Sequence, residues 1–172
     1  MINKNFNIEI YGDGFTLEQI NNQKYSFLDG FTFNPTLFKK NNIADYLEHC
    51  KEITSMITKK PVSLEVIADD EVNMIRQAEI LGNLSPNVYI KIPITFTNGA
   101  STKNVIKSLI KNNYKLNITA IFSLEQIIEI SDYINDHTIL SIFAGRLYDI
   151  GIDASLEINK IFECLNKKKV SP

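Results

Sequence analysis

Short runs of β-branched and apolar residues alternate with amphipathic stretches six times along the chain, and this alternation limits its fold most strongly. The predicted strands are residues 6–11, 26–32, 62–68, 87–92, 115–122 and 138–144. The predicted helices that follow them are about residues 16–23, 43–57, 70–81, 101–112, 123–134 and 153–165. Strands that alternate with helices pair in parallel. No linker or change of composition divides the chain, so residues 1–172 are predicted to form one α/β domain.

Residues suited to capping precede three of the predicted helices. Asp70 stands before the third helix, and Ser123 is followed three residues later by Gln126, which is a capping-box pattern. Ser101 and Thr102 open another helix, and we predict that they cap it in the same way.

Polar residues recur at matching positions in three successive predicted strands. Lys91 comes 26 positions after Glu65, and Asn117 comes 26 positions after Lys91, which is about one strand–helix unit each time. A doubly wound sheet covers both strand faces with helices and tolerates such residues poorly. A (β/α)8 barrel instead gathers inward-facing side chains around one axis, with its site at the C-terminal ends of the strands. The pattern therefore favours the barrel.

The number of strand–helix units is smaller than a closed barrel needs. An eight-stranded barrel takes about 250 residues, whereas this sequence has 172. We therefore predict a (β/α)8 TIM barrel of which about six units are present, with its C-terminal part missing. A complete six-stranded open sheet remains the alternative.

Composition argues against several classes of protein. The formal net charge of −2 provides no basic stripe for nucleic acid. No apolar run is long enough to span a membrane, and the N-terminus does not resemble a signal peptide. The two cysteines, Cys50 and Cys164, and the two histidines, His49 and His137, are scattered, which disfavours a metal site. We expect a reduced, cytoplasmic protein that uses neither a metal nor a cofactor.

Lys91 lies in the middle of an apolar strand, which raises the question of its purpose. Desolvation disfavours the charged ammonium, and a neutral lysine can attack a carbonyl and form a Schiff base. Such chemistry also needs a carboxylate and hydrogen-bonding groups. Candidates in or just after predicted strands are Asp13, Asn34, Glu65, Asn117 and Thr119. Taken alone, a lysine at such a position is more often an edge or rim residue, and a glutamate such as Glu65 is more often a salt-bridge partner. Their equal position in successive strands favours a shared site.

Five segments in order carry recognisable motifs. They are GFTFNPTL at 30–37, VSLEVIADD at 62–70, NVYIKIPIT at 87–95, LNITAIFSLEQ at 116–126 and SIFAGRLYDIGID at 141–153. Together they resemble the signatures of the transaldolase family, in particular its small bacterial branch that includes fructose-6-phosphate aldolase. This resemblance covers nearly the whole chain and implies a barrel of the class I aldolase type, with a sugar phosphate as the substrate.

The resemblance also implies roles for particular residues. Lys91 would form the Schiff base, and Asp13 would exchange a proton with the substrate hydroxyl. Glu65 would move protons through a bound water that Thr119 helps to hold. The residues implied to bind substrate hydroxyls are Thr32, Asn34, Asn117 and Ser141.

Arg146 would bind the substrate phosphate, because a guanidinium suits that geometry. The alternative for Arg146 is a surface ion pair with Asp149 or Asp153.

The predicted activity is the transfer of a dihydroxyacetone unit between sugar phosphates, as in the pentose phosphate pathway of carbohydrate metabolism. Transfer and simple aldol cleavage cannot be separated here, although Glu65 favours transaldolase because the aldolase branch tends to carry glutamine there. Phe33, Gly14 and Ile142 depart from the family pattern. The alternative is therefore an inactive homologue that binds a sugar phosphate or a protein partner. A homo-oligomer also stays open.

Overall fold

Six parallel strands form one sheet whose order follows the chain, in a computed structural model that describes residues 8–41, 43–169 and 172. The strands are β1 (Tyr11–Asp13), β2 (Gly30–Phe33), β3 (Val62–Glu65), β4 (Val88–Pro93), β5 (Leu116–Ile121) and β6 (Thr138–Ile142). The helices are α1 (Leu17–Ile20), α2 (Pro35–Lys40), α3 (Tyr46–Met56), α4 (Glu71–Gly82), α5 (Lys103–Lys111), α6 (Leu124–Ile130), α7 (Ala144–Asp149) and α8 (Ala154–Lys168).

The order of the strands distinguishes the two predicted architectures. A doubly wound sheet reverses its strand order at a switch point, whereas here every strand is paired with the next one along the chain. The sheet also curls toward one face. Asn117 on β5 donates to the Ser63 hydroxyl on β3 at 3.0 Å, although two strands with one between them lie about 9 to 10 Å apart in a flat sheet. The six strand–helix units thus form a curled half-barrel, which confirms the predicted α/β barrel architecture for these units.

Alternation along the strands gives the sheet two different faces. The outer face carries the buried apolar residues Phe31, Phe33, Val62, Leu64, Val88, Ile90, Ile92, Leu116 and Ile118. Neighbouring parallel strands keep paired residues on the same side, so the register defines the inner face as well. That face is polar and carries Asp13, Thr32, Ser63, Glu65, Lys91 and Asn117.

Helices cover the outer face and form the core with it. α5 is representative, because Val105, Ile106 and Leu109 fall on one side of the helix and are fully buried. Replacing a fully buried leucine such as Leu109 with alanine costs about 2 to 5 kcal/mol. The apolar layer therefore fixes the backbone from which the inner-face side chains project. None of the described helices combines the length and apolar character needed to cross a bilayer.

The first two strands begin later than the sequence predicted. Residues 6 and 7 of the first predicted strand lie outside the described residues. The backbone N–H of Ile10 donates to the Asp29 carboxylate at 2.9 Å, and β1 begins one residue later. Before β2, the chain forms a 3₁₀ turn at Gln23–Tyr25, and the Lys60 ammonium binds the carbonyl of Leu28. Side-chain contacts thus occupy backbone groups that the prediction assigned to strands.

Two short helices, α2 and α7, were not predicted. Each follows a strand directly and has only six residues. α2 did have a sequence signal, because Asn34 caps it and Pro35 occupies its first turn. For α7, Phe143 stands at the cap position and makes no side-chain cap hydrogen bond.

The predicted helix caps are confirmed in two places, and at α5 only Ser101 accepts a helix N–H, that of Lys103 at 3.3 Å. Asp70 accepts the backbone N–H of Asn73 at 3.0 Å, and the Gln126 side chain accepts the N–H of Ser123 at 3.2 Å. Thr102 does not cap α5, because its hydroxyl donates to the carbonyl of Pro93 at 2.6 Å. This bond instead ties the start of α5 to the end of β4.

Candidate active site

Side chains from all six strands meet on the inner face near the C-terminal ends of the strands. The register places Asp13, Thr32 and Ser63 in one row across β1, β2 and β3. A second row contains Glu65, Lys91 and Asn117 across β3, β4 and β5. The equal spacing seen in the sequence therefore corresponds to direct pairing of neighbouring strands.

Lys91 is the centre of this arrangement. Its side chain is about 10% exposed, and its Nζ lies 3.4 Å from the Glu65 Oε2. Nζ also donates to the Thr32 hydroxyl at 3.4 Å, and Thr32 in turn donates to the Asp13 Oδ1 at 3.4 Å. The contacts place a buried amine beside one carboxylate and connect it through a hydroxyl to a second carboxylate at the solvent edge.

The electrostatic setting of Glu65 differs from that of an ordinary glutamate. Burial raises the pKa of Glu65, the neighbouring Lys91 side chain partly offsets this shift, and the Asp13 carboxylate adds to it. Glu65 therefore keeps its proton to a higher pH than an exposed glutamate does. A carboxyl group with a raised pKa is well suited to exchanging protons near neutral pH.

A second chain of hydrogen bonds crosses the inner face beside Lys91. The Asn117 amide donates to the Ser63 hydroxyl at 3.0 Å, and the Ser141 hydroxyl donates to the Asn117 Oδ1 at 2.7 Å. Ser63 is a further polar residue of this face that was not predicted from the sequence. It precedes Glu65 by two positions in the same strand, so strand alternation could have placed it on the same face.

Thr119 lies two residues beyond Asn117 and is fully enclosed. Within the described part of the chain its hydroxyl oxygen has no hydrogen-bond partner, although the residue is only 2% exposed. The register of β5 with β6 shifts between Ile118 and Ile121, and Ala120 adopts a left-handed φ of 58° within this irregularity. The bulge thus separates Thr119 from regular pairing with β6, while Thr119 stays paired with Pro93 on β4.

Asn34 and Arg146 lie apart from the Lys91 contacts described above. Asn34 caps α2, because its Oδ1 accepts the N–H of Leu37 at 2.9 Å, which leaves its amide hydrogens for other partners. Arg146 on α7 is 73% exposed and pairs with Asp149 at 3.6 Å. One of the ion pairs considered for Arg146 is therefore present, and a role in binding phosphate remains a prediction.

Across the described ranges, no three His, Cys, Asp or Glu side chains come together in a group that could hold a metal ion.

Comparison with known proteins places this arrangement in a family. The family model for transaldolase/fructose-6-phosphate aldolase matches residues 10–171. A probable transaldolase of Methanococcus vannielii is 42% identical over 136 residues, which is 79% of this chain and 60% of that protein. A probable transaldolase of Dehalococcoides mccartyi is 33% identical over 155 residues, or 90% of this chain and 69% of that protein.

A third relative, a probable transaldolase of Carboxydothermus hydrogenoformans, is 35% identical over 165 residues, or 94% of this chain and 73% of that protein. The chain thus spans about 60 to 73% of the length of these relatives. The family match covers almost all of the present chain, including all six strands and the inner-face residues. The chain therefore belongs to the transaldolase/fructose-6-phosphate aldolase family.

Proposed function

We propose that this protein is a transaldolase or a closely related Schiff-base aldolase that handles a dihydroxyacetone unit of sugar phosphates through Lys91. The observation that carries the proposal is the position of the Lys91 amine, buried between the Glu65 carboxylate and the Thr32 hydroxyl. Buried lysines next to an acid–base group are the usual nucleophiles toward carbonyls. The family supports a sugar phosphate as the substrate.

The first stage would join the ketose to Lys91. The neutral amine attacks the carbonyl carbon, and the carbonyl oxygen takes up a proton to give a carbinolamine. Loss of that hydroxyl as water, with a proton delivered from Glu65 through a bound water, leaves the iminium. Because burial raises the pKa of Glu65, this carboxyl is suited to releasing and recovering the proton. Thr119, whose hydroxyl is otherwise unpaired among the described residues, would hold the water.

The second stage would break the carbon–carbon bond. Asp13 takes the proton of the hydroxyl on the carbon that departs, and the electron pair of the broken bond moves to the iminium nitrogen. An aldehyde leaves, and an enamine of dihydroxyacetone remains on Lys91. Addition of the enamine to another aldehyde reverses these steps and completes the transfer.

The remaining predicted residues would hold the substrate. Thr32, Asn34, Asn117 and Ser141 offer hydroxyl and amide groups to the sugar hydroxyls. Arg146 would leave Asp149 and bind the phosphate instead. Breaking the exposed ion pair with Asp149 costs only about 0 to 1 kcal/mol. On the strength of the family we assign the reaction to the pentose phosphate pathway, the protein to the cytoplasm, and the chain to a single barrel domain.

Borohydride trapping tests the proposal. The chain is incubated with fructose 6-phosphate, reduced with borohydride and digested, and the peptides are analysed by mass spectrometry. We expect a dihydroxyacetone or hexose adduct on Lys91 and none in Lys91→Met. Lys111→Met provides the matched control, because Lys111 is an exposed lysine on α5 and its loss leaves the adduct unchanged.

The absence of an adduct from a chain shown by circular dichroism to be folded would contradict the proposal. If fructose 6-phosphate still bound to that chain in calorimetry, the protein would be an inactive sugar-phosphate-binding homologue. If the adduct forms, adding an acceptor aldehyde separates the remaining choices, since a transferase gives a new ketose and an aldolase gives free dihydroxyacetone.

A further inference from the structure

Two side chains from the outer helices bind the main chain at Glu65 and directly after it. The Tyr46 hydroxyl, at the start of α3, donates to the backbone carbonyl of Glu65. The Gln77 Oε1, on α4, accepts the backbone N–H groups of both Ile67 and Ala68 at 2.8 Å. We call Tyr46 and Gln77 together the Glu65 clamp.

The clamp acts where the strand itself ends. Glu65 is the last residue of β3, and the N–H of Val66 still donates to the Lys91 carbonyl at 3.2 Å. Ile67 and Ala68 lie beyond the strand, so their N–H groups are held by the Gln77 side chain instead. Helices α3 and α4 therefore determine how the segment that carries Glu65 leaves the sheet.

Both side chains of the clamp are themselves held in place. The Tyr46 ring packs against Phe38 with ring centroids 5.3 Å apart. Burial holds the pKa of the Tyr46 hydroxyl far above its ordinary value, so it remains a hydrogen-bond donor throughout the accessible pH range. Asp45 fixes the start of α3 by accepting the N–H of Glu48 at 3.0 Å, and Gln77 lies in the second turn of α4.

Packing of the two helices does not need these polar atoms. α3 buries Cys50 and Ile53, and α4 buries Met74, Ala78 and Leu81. A phenylalanine at Tyr46 would make the same ring contacts, and a leucine at Gln77 would occupy a similar volume. The Gln77 amide oxygen is directed to the backbone just beyond Glu65, and the Tyr46 hydroxyl binds the Glu65 carbonyl while also interacting with the Cys50 thiol in the core.

We propose that Tyr46 and Gln77 are positioning residues that hold Glu65 against Lys91 by fixing the main chain around it. This inference rests on the proposed function insofar as Glu65 moves protons in that reaction. Both residues would act through the main chain of residues 65, 67 and 68. When the backbone at Glu65 is fixed, the Glu65 carboxylate keeps its 3.4 Å contact with the Lys91 amine. Proton transfer requires such a preorganised geometry.

The test uses the whole chain and the variants Tyr46→Phe and Gln77→Leu. The Glu65 carboxyl is followed by carbon NMR during a pH titration, with Glu65→Gln to assign its signal. Lys91 and Asp13 are the charged groups that face Glu65, and both remain in every clamp variant. The Tyr46 hydroxyl also interacts with Glu65, but it stays neutral because burial raises its pKa. Hydrogen exchange of the Ile67 and Ala68 amides is measured on the same samples.

We expect the pKa of Glu65 to lie above its ordinary value in the wild type and to move toward that value in both variants, because a loosened strand end admits water. Exchange of the Ile67 and Ala68 amides should accelerate in Gln77→Leu by about two- to tenfold, as for the loss of one hydrogen bond. Adduct formation on Lys91 should slow by a similar factor in both variants.

Two further variants serve as controls. Tyr133→Phe removes a tyrosine hydroxyl from the loop after α6 and should change none of the readouts. Gln77→Glu keeps an acceptor oxygen and should preserve slow amide exchange.

The inference is overturned if both Tyr46→Phe and Gln77→Leu are folded and leave the Glu65 titration and the amide exchange as in the wild type. These two readouts need no substrate, so they decide the matter even when Lys91 forms no adduct. A missing adduct in the wild type would instead count against the proposed function.

Discussion

At the scale of single residues, the inner face buries polar groups that lower the stability of the fold. Apolar residues of similar size at these positions would avoid that cost in free energy. Lys91 and Glu65 are mostly buried and face each other, and removing either partner of such a pair leaves an uncompensated charge. Thr119 is a plainer case, because its buried hydroxyl has no partner among the described residues. Buried polar groups without partners are uncommon in folded proteins, and they often mark a functional site.

Thr119→Val should therefore separate stability from activity. Valine has the shape of threonine without the hydroxyl, so we expect the free energy of unfolding to rise by about 1 kcal/mol as the buried unpaired group disappears. The rate of adduct formation on Lys91 should fall at least about tenfold if the hydroxyl holds the reacting water. Urea unfolding and borohydride trapping measure the two effects.

Thr138→Val is the matched control for this substitution. Thr138 is also 2% exposed, but its hydroxyl accepts the N–H of Asn135 at 3.2 Å. The same change there should lower the free energy of unfolding by about 1 kcal/mol. Equal destabilisation by both valine variants would show that the Thr119 hydroxyl is satisfied in the fold and would count against its assigned role.

At the scale of elements, the irregularity in β5 shows where a regular pattern gives way. Asn117 and Thr119 alternate as strand residues should, but the register with β6 shifts after Ile118. At this shift Ala120 adopts a left-handed φ of 58°, a conformation that costs residues with a Cβ about 1 to 2 kcal/mol. The segment LNITAIFS contains no signal that predicts the bulge, because alanine rarely adopts the left-handed conformation and glycine is the residue typical of it.

Replacing Ala120 tests the strain directly. Ala120→Gly should raise the free energy of unfolding by about 0.5 to 1 kcal/mol, since relief of the left-handed strain exceeds the added chain entropy. Ala120→Val should lower it by more than about 1 kcal/mol, because a β-branched residue is disfavoured further. The control Ala78→Gly, at a buried helical position of α4, should be destabilised by about 1 kcal/mol. Equal destabilisation by glycine at both positions in urea unfolding would argue against strain at Ala120.

The unpredicted helices α2 and α7 belong to the same scale. Each is a short segment immediately after a strand. Both begin within family motifs whose residues were assigned roles in the site and not secondary structure. The Asn34–Pro35 pair is an ordinary helix start, so α2 was predictable from capping rules. α7 buries Leu147, and a segment so short has no helical periodicity to detect.

At the scale of the whole molecule, the curled sheet concentrates stability at its centre. β4 is paired on both sides, and Ile90 and Ile92 are fully buried beneath the helices. We expect hydrogen exchange followed by mass spectrometry to be slowest in β3, β4 and β5. It should be fastest in α1, which has no fully buried residue, and in α7, which buries one residue, Leu147. Protection of α7 as strong as that of β4 would contradict this distribution.

The features that depend on local periodicity could be predicted from the amino-acid sequence alone. Alternating strands and helices predicted the α/β class, and equal spacing of Glu65, Lys91 and Asn117 predicted one shared face, because side chains alternate along every strand. Contacts between strands that are not neighbours could be seen only in the tertiary structure, such as the Lys91 bond to Thr32 and the Asn117 bond to Ser63. Those contacts depend on how far the sheet curls and how the outer helices pack, and this curvature arises from the summed packing of many residues distant in sequence.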